Sequence, residues 1–207
     1  MWQQHPRIKL CAEHVQLGGV IAYPTEAVWG LGCDPFDEQA VADILCLKTR
    51  PVEKGLILIA GNVAQIEFLL EGLSPEKRQT LLNSWPGPFT WLIPHHHRIP
   101  AMVSGRHATI AVRVSAHPVV QALCNAVGGP IVSTSANPQG KLPATTSTMA
   151  RRYFSQRSLL HASCASSAVV AGKSEVNVLF SPGCVGSERR PSEIRDLDSG
   201  QLIRAGT

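Results

Sequence analysis

Three features of the sequence predict an α/β or mixed-sheet architecture. Apolar, β-branched runs of strand length recur, as in Leu56-Ile57-Leu58-Ile59-Ala60 and Thr109-Ile110-Ala111-Val112-Arg113-Val114. Segments with helix-start signals and apolar residues at helical spacing separate these runs. Strand ends also open into small polar residues. The clearest case is Pro130-Ile131-Val132-Ser133-Thr134-Ser135-Ala136-Asn137-Pro138. In α/β proteins, ligands gather beyond the carboxyl ends of strands. Ser133, Thr134 and Ser135 can donate to anionic oxygens without bulk, and the Asn137 amide can donate and accept. A strand followed by an Asx- or Ser-type turn accounts for the same residues without a ligand.

Taken in order, Ile8, Cys11, Ala12 and Val15 have helical spacing, with Pro6 in the first turn and Gly18-Gly19 at the end. Val20 to Tyr23 is a buried strand that Pro24 stops, exposing Thr25 and Glu26. Gly30 and Gly32 let the backbone run close to a ligand or to another segment. Asp37 caps a helix that buries Val41, Ile44 and Leu45 and delivers Lys48 and Arg50 at its end, before Pro51. Two readings fit this basic pair: complementing the helix dipole, or holding a phosphate. Leu56 to Ala60 is apolar throughout and so belongs at the centre of a sheet. Asn62 caps a short helix, and Ser74-Pro75-Glu76 opens another that ends at Trp85. Pro86-Gly87-Pro88 turns into a strand over Phe89 to Ile93. His95-His96-His97 has no adjacent carboxylate or Cys to complete a metal site, so a solvated loop is expected. After the Thr109–Val114 strand, a helix runs from Pro118 to Gly128-Gly129. A helix is expected within Thr145–Phe154, an extended segment at Val176–Phe180, and a terminal hairpin over Ser192–Arg204. Ser155–Ser174, rich in Ser and Ala with little periodicity, is expected to be a loop, a flexible insertion or weak strands.

Composition narrows the class. The chain has 207 residues, 44% of them hydrophobic, which suits one globular domain over residues 1–207. Its formal charge is +4, and 13 of its 19 basic residues are Arg, the residue suited to bidentate contacts with phosphate and carboxylate. The six Cys form no C-x-x-C pair and no secretory h-region precedes them, so reduced thiols in a cytoplasmic protein are expected. No apolar run has the roughly 18 residues of a membrane helix. There is no P-loop and no Rossmann fingerprint.

Three strand ends therefore offer Thr25, Arg113 and Ser133/Ser135/Asn137, and a helix end offers Lys48 and Arg50. Hydroxyls with fixed cations, and no nucleophile–base pair, suit an anionic substrate that reacts by being positioned. Phosphoryl and nucleotidyl transfer proceed that way. In the same order, Tyr23-Pro24-Thr25-Glu26-Ala27-Val28-Trp29-Gly30-Leu31-Gly32, Lys48-Thr49-Arg50-Pro51, Trp85-Pro86-Gly87-Pro88-Phe89-Thr90, Ala111-Val112-Arg113-Val114, Ser133-Thr134-Ser135-Ala136-Asn137 and Pro191-Ser192-Glu193-Ile194-Arg195-Asp196 resemble the YrdC-domain family of threonylcarbamoyl-AMP synthases, in its short, single-domain bacterial form.

The resemblance implies a twisted sheet of mixed parallel and antiparallel strands, flanked by helices, with a basic concave cavity. It implies a nucleotidyltransferase that makes threonylcarbamoyl-AMP and pyrophosphate from L-threonine, bicarbonate or CO2, and ATP. A separate transferase complex would then modify adenosine 37 of tRNA. Thr25, Arg113 and Ser133 match threonine-binding positions. Lys48, Arg50, Thr109, Ser135, Asn137, Arg190 and Ser192 match nucleotide positions, with Lys48 and Arg50 as the catalytic pair. Mg²⁺ is implied by ATP chemistry, with phosphate and water ligands and no protein cage. The competing expectation is a non-catalytic factor that uses the same cavity to bind tRNA or double-stranded RNA in ribosome maturation.

Overall fold

The computed structural model describes residues 2–154, 158–159, 175–188 and 192–205. Its helices are α1 (Pro6–Gln16), α2 (Glu38–Leu47), α3 (Glu67–Leu70), α4 (Pro75–Ser84), α5 (Ala101–Ser104), α6 (Pro118–Val127) and α7 (Ser147–Phe154). Its strands are β1 (Val20–Pro24), β2 (Trp29–Gly32), β3 (Ile57–Ala60), β4 (Phe89–Pro94), β5 (Thr109–Val114), β6 (Ile131–Ser135), β7 (Ser158–Leu159), β8 (Glu175–Val176), β9 (Val178–Phe180), β10 (Glu193–Asp196) and β11 (Leu202–Arg204). Nine strands form one sheet in the order β11-β10-β4-β5-β3-β6-β2-β1-β9, and β7 pairs with β8 apart from it. The pairs β10–β4, β5–β3 and β1–β9 are parallel and the others antiparallel, so the sheet is mixed. β3 stands at its centre, where a run without polar residues belongs.

Both faces of the sheet are covered. Strand side chains alternate between faces. Ile21 and Tyr23 of β1, Ile59 of β3 and Ile131 of β6 pack with Ile8, Cys11 and Val15 of α1 and with Val119, Val120 and Leu123 of α6. Val20, Ala22, Leu58, Ala60 and Val132 point the other way, into a larger core with α2, α3, α4, α5 and α7. This two-sided burial is why β1 reads as a continuous apolar run. The caps fall where the sequence puts them. Asp37 accepts from the Ala40 amide (3.0 Å), Asn62 from Gln65 (3.3 Å) and Ser74 from Lys77 (3.4 Å).

Three elements differ from expectation. The residues around Gly30 and Gly32 form β2, the return strand of a hairpin with β1, in which Tyr23 opposes Gly30 and Ile21 opposes Gly32. Both glycines make room for a neighbouring segment, and Gly30 also lines the cavity described below. A Cβ at Gly32 would lie 2.5 Å from the Val132 carbonyl and 2.8 Å from the Tyr23 ring. The histidine run is not simply solvated. His95 is buried, its Nε2 donates to the His107 carbonyl (2.9 Å), and its Nδ1 accepts from the His97 amide (3.2 Å). His96 and His97 have positive φ, so the run is not extended. α5 carries no sequence signal that would separate it from loop. The expected loop at Ser155–Ser174 lies outside the described residues, apart from β7.

Gly32→Ala should lower stability by about 1–3 kcal/mol, because the backbone carbonyl it would meet cannot swing aside. Gly129→Ala, whose Cβ would meet nothing within 4 Å, should be close to neutral. Chemical denaturation of the two variants compares them directly.

Candidate active site

Sheet register fixes the floor of a cavity of about 260 Å³. Residues paired across a ladder share a face. Gly30 pairs with Ser135, Ser133 with Ile57, and Ile59 with Arg113. Thr90 lies one step beyond the Trp91–Val112 pair and so falls beside Arg113. Thr90 pairs with Ile194, and Ile194 with Arg204. One face therefore runs across seven consecutive strands, from β2 to β11. It is the face that α1 and α6 cover further along, where Ile131 and Tyr23 replace the polar residues. Gly30, Ile57, Ile59, Thr90, Arg113, Ser133, Ser135, Ser192 and Arg204 line the cavity, with walls from Thr25, Ala27, Val28, Arg50, Leu56, Pro143 and Ala205.

Six residues singled out from sequence meet here: Thr25, Arg50, Arg113, Ser133, Ser135 and Ser192. Thr25 is held by a hydrogen bond from its hydroxyl to the Val28 carbonyl (2.8 Å). The Ser135 hydroxyl donates to Asn137 Oδ1 (2.6 Å), and the Ser192 and Thr90 hydroxyls bond to each other (2.7 Å). Arg50 turns into the cavity after Thr49, whose φ is 49°. Its Nε and Nη2 both donate to the Gly55 carbonyl, at 3.0 and 2.8 Å. Arg50 also lines a second, more open cleft with Pro51, Glu53, Lys54, Arg106 and His107, so the two spaces adjoin.

Three expected residues are placed otherwise, and a fourth is not among the described residues. Lys48 does not face the cavity beside Arg50. It is the C-cap of α2, and its buried ammonium donates to the Ser135 carbonyl (2.5 Å), the Asn137 carbonyl (2.9 Å) and Asn137 Oδ1 (3.3 Å). All three N–H groups thus hold the Ser135–Asn137 turn from behind. Asn137 also lies behind the lining, its amide donating to the Lys141 carbonyl (2.6 Å). Thr109, at the start of β5, pairs with Pro94. It lies four residues from Arg113, roughly 13 Å along the strand, and does not line the cavity. Arg190 lies outside the described residues.

Sequence reasoning left three participants without a role. Glu26 ion-pairs with Arg113 (Oε2 to Nη2, 2.5 Å), and its Oε1 accepts from the Ser115 hydroxyl (2.7 Å) and the Ala116 amide (3.1 Å). With the Arg113 Nε bond to the Gly87 carbonyl (3.2 Å), this pins the guanidinium from two sides. Thr90 and Arg204 are the others. An acid next to Thr25 in the sequence was a usable signal for Glu26. Arg204, on a short edge strand, offered none.

Burial pulls the Lys48 ammonium down to about 8, with the charge of Arg50 adding to the effect. Burial, and then Arg204, lowers Arg50 as well. Among the described residues, no group of three or more His, Cys, Asp or Glu could hold a metal ion.

The family model for Sua5, YciO and YrdC, described as "Telomere recombination", matches residues 13–206. The chain belongs to that family. It is 51% identical over 204 residues to the threonylcarbamoyl-AMP synthase of Saccharophagus degradans, covering 99% of this chain and 97% of the relative. It is 49% identical over 203 residues to the synthase of the same name from Cellvibrio japonicus, covering 98% and 97%. Among solved structures, P. abyssi Sua5 complexed with L-threonine superposes with a TM-score of 0.78 at 28% identity, over 96% of this chain. The chain spans about half of that protein, 54% of its length. E. coli YciO shares the fold, with a TM-score of 0.76 at 23% identity over 97% of this chain and 89% of its own.

Lys48 supports a prediction with a definite sign. Its folded value, about 8, lies below the ordinary lysine value of 10.5. Between those two pH values the unfolded chain binds more protons, so this group's contribution to stability rises with pH across that window. Buried thiols with raised values (Cys11, Cys33 and Cys124) act in the opposite sense above pH 9, so the Lys48 contribution is read by comparing urea midpoints at pH 7.5 and pH 10 in the wild type and in Lys48→Met. In Lys48→Met, the difference between the two pH values should shift toward destabilisation by alkali.

Proposed function

We propose that this chain is an L-threonylcarbamoyladenylate synthase. The observation that carries the reading is the 51% identity, over 99% of the chain, to a protein named for that activity. The geometry is compatible with it. The amine of L-threonine forms a carbamate, either from bicarbonate with loss of water or from CO2 with loss of a proton. A carbamate oxygen attacks the α-phosphorus of ATP, and pyrophosphate leaves.

In this reading Arg113, pinned by Glu26 and Gly87, presents its remaining N–H groups to the threonine carboxylate, and Thr25 and Ser133 stand beside it. Arg50, Ser135 and Ser192 take the nucleotide, with Arg190 proposed as a further position; Asn137 acts by orienting the Ser135 hydroxyl, which donates to its Oδ1, and Thr109, off the cavity lining, is reached only by a nucleotide that extends beyond it. Arg50 faces the charge that develops on the attacked phosphorus oxygens, where a fixed cation lowers the barrier more than it stabilises bound substrate. Lys48 acts through the turn it holds, keeping Ser135 in place. The lining residues supply guanidiniums, hydroxyls and apolar carbons but no carboxylate. The side chains therefore do not build a site for Mg²⁺, and an ion accompanying ATP would keep phosphate and water ligands.

The class is nucleotidyltransferase, over a single domain of residues 1–207 with a basic cavity. The partners are L-threonine, bicarbonate or CO2, and ATP, with a separate tRNA threonylcarbamoyl transferase complex downstream. A cytoplasmic location suits tRNA modification. Among the described residues, no helix is long and apolar enough to cross a membrane. Direct binding of tRNA or double-stranded RNA is the alternative use of the cavity. The low aromatic content, 5%, offers little stacking surface for it.

Mixing the protein with ATP, threonine and bicarbonate should release pyrophosphate and yield threonylcarbamoyl-AMP, detectable by mass spectrometry. Arg50→Ala should lower kcat by about 10²–10³ while remaining folded by circular dichroism. Arg50→Lys should recover only part of the rate, since a point charge replaces a planar fork. Salt-sensitive RNA binding without turnover would reverse the order of the two readings.

A further inference from the structure

Arg50 and Arg204 line the same cavity, and the charge of Arg204 adds to burial in lowering the Arg50 value. Among the described residues neither meets a carboxylate. Arg50 is held by the Gly55 and Lys54 carbonyls, and Arg204 by a single long bond to the Ser192 carbonyl (3.4 Å). The third lining cation, Arg113, differs, because Glu26 already neutralises it. Two guanidiniums that repel each other across a partly dehydrated space, with no counter-charge, are stable together only at a cost. That cost is removed when an anion carrying more than one negative charge lies between them.

We infer that Arg204 is a second phosphate-binding cation, which closes with Arg50 on the polyphosphate of the nucleotide and holds the departing pyrophosphate. The inference rests on the proposed synthase reading and extends it to a residue of the C-terminal hairpin. β10 and β11 join the sheet beside β4, and the pairing of Ile194 with Arg204 puts the guanidinium on the cavity face. The other arginine on the hairpin, Arg195, bonds to Glu193 instead (2.9 Å). Burial of the Arg204 guanidinium, which lowers its value, agrees with a head turned inward on an exposed strand. Arg50 would stay charged and in place without Arg204, so the two contributions are separable.

The test is Arg204→Gln beside Arg204→Lys, with three readouts: KM for ATP against KM for threonine, inhibition by added pyrophosphate, and calorimetric binding of inorganic tripolyphosphate. Losing one charge-assisted contact should weaken ATP and tripolyphosphate by roughly tenfold to a hundredfold. Pyrophosphate should become a correspondingly poorer inhibitor. Threonine KM should hold, and Arg204→Lys should recover part of the loss. Unchanged ATP, pyrophosphate and tripolyphosphate values in a folded Arg204→Gln would overturn the inference and leave the synthase reading intact. Equal losses for threonine and ATP would also overturn it, because the hairpin would then be a general wall. If the wild type makes no threonylcarbamoyl-AMP, the synthase reading fails, and tripolyphosphate binding alone decides whether Arg204 is an anion ligand.

Discussion

A strand sends alternate side chains to opposite faces of its sheet, and the cavity depends on how that alternation is filled on one face. In β6 the positions on this face read Ile131, Ser133, Ser135. The first packs among α1 and α6 and the other two line the cavity. Ile59 of β3 belongs to both settings, and β1 ends its part of the face with Tyr23 under the helices. A one-residue slip in any of these pairings would send Ser133 or Arg113 into the larger core on the other side. There a hydroxyl would lose its partners and a guanidinium its counter-charge. The register that buries the core is thus the register that assembles the site.

The cations around this face are compensated in different ways. Arg113 has a carboxylate, shared with Ser115 and Ala116. Lys48 has three oxygens of the Ser135–Asn137 turn. Both are nearly buried, and both would be costly to leave alone. Removing one partner of a buried ion pair costs about 3–5 kcal/mol, because the other charge stays behind. Among the described residues, Arg50 and Arg204 meet only neutral carbonyls. That split separates groups whose charge is used to hold the protein together from groups whose charge remains available to an anion.

Much of this was legible in the sequence, and the exceptions have physical causes. β3, β5, α6 and the caps at Asp37, Asn62 and Ser74 follow from local rules that tertiary packing did not override. β2 was hidden because glycine has low strand propensity. Gly30 and Gly32 are strand residues by their pairing with β1 and β6, and they are glycines because the Tyr23 ring crowds both and the Val132 carbonyl crowds Gly32. Lys48 and Arg50 were grouped because both are basic and two residues apart. The left-handed backbone at Thr49 sends one behind the turn and the other into the cavity, and no propensity scale encodes that. A run of three polar rings suggests a surface loop, but the carbonyl of His107 lets one of them, His95, be buried. Arg204 could not be found locally at all. Its place on the cavity face is set by a parallel pairing between strands about a hundred residues apart, β10 and β4.

Glu26 shows how far folding itself does the positioning. An unpaired arginine on a cavity wall samples many rotamers, and binding a carboxylate would have to order it, at about 0.5–1.5 kcal/mol for such a side chain. Here the Gly87 carbonyl and Glu26 fix the fork before any ligand arrives. Glu26 is itself fixed by Ser115 and the Ala116 amide, at the point where β5 gives way to α6. The 183–188 segment adds a further restraint, through the Gly186 amide on the Thr25 carbonyl (3.0 Å) and the Glu188 amide on the Glu26 carbonyl (3.2 Å). The fixed carboxylate also weakens the field of Arg113. A second anion there would be recognised by the directions of the remaining N–H groups more than by net charge. In the proposed reading, the paired arginine favours shape selection of a small carboxylate, while Arg50 and Arg204, which meet no carboxylate among the described residues, favour a multiply charged phosphate. In that reading a single cavity sorts two anionic substrates because, among the described residues, a carboxylate neutralises Arg113 and none meets Arg50 or Arg204.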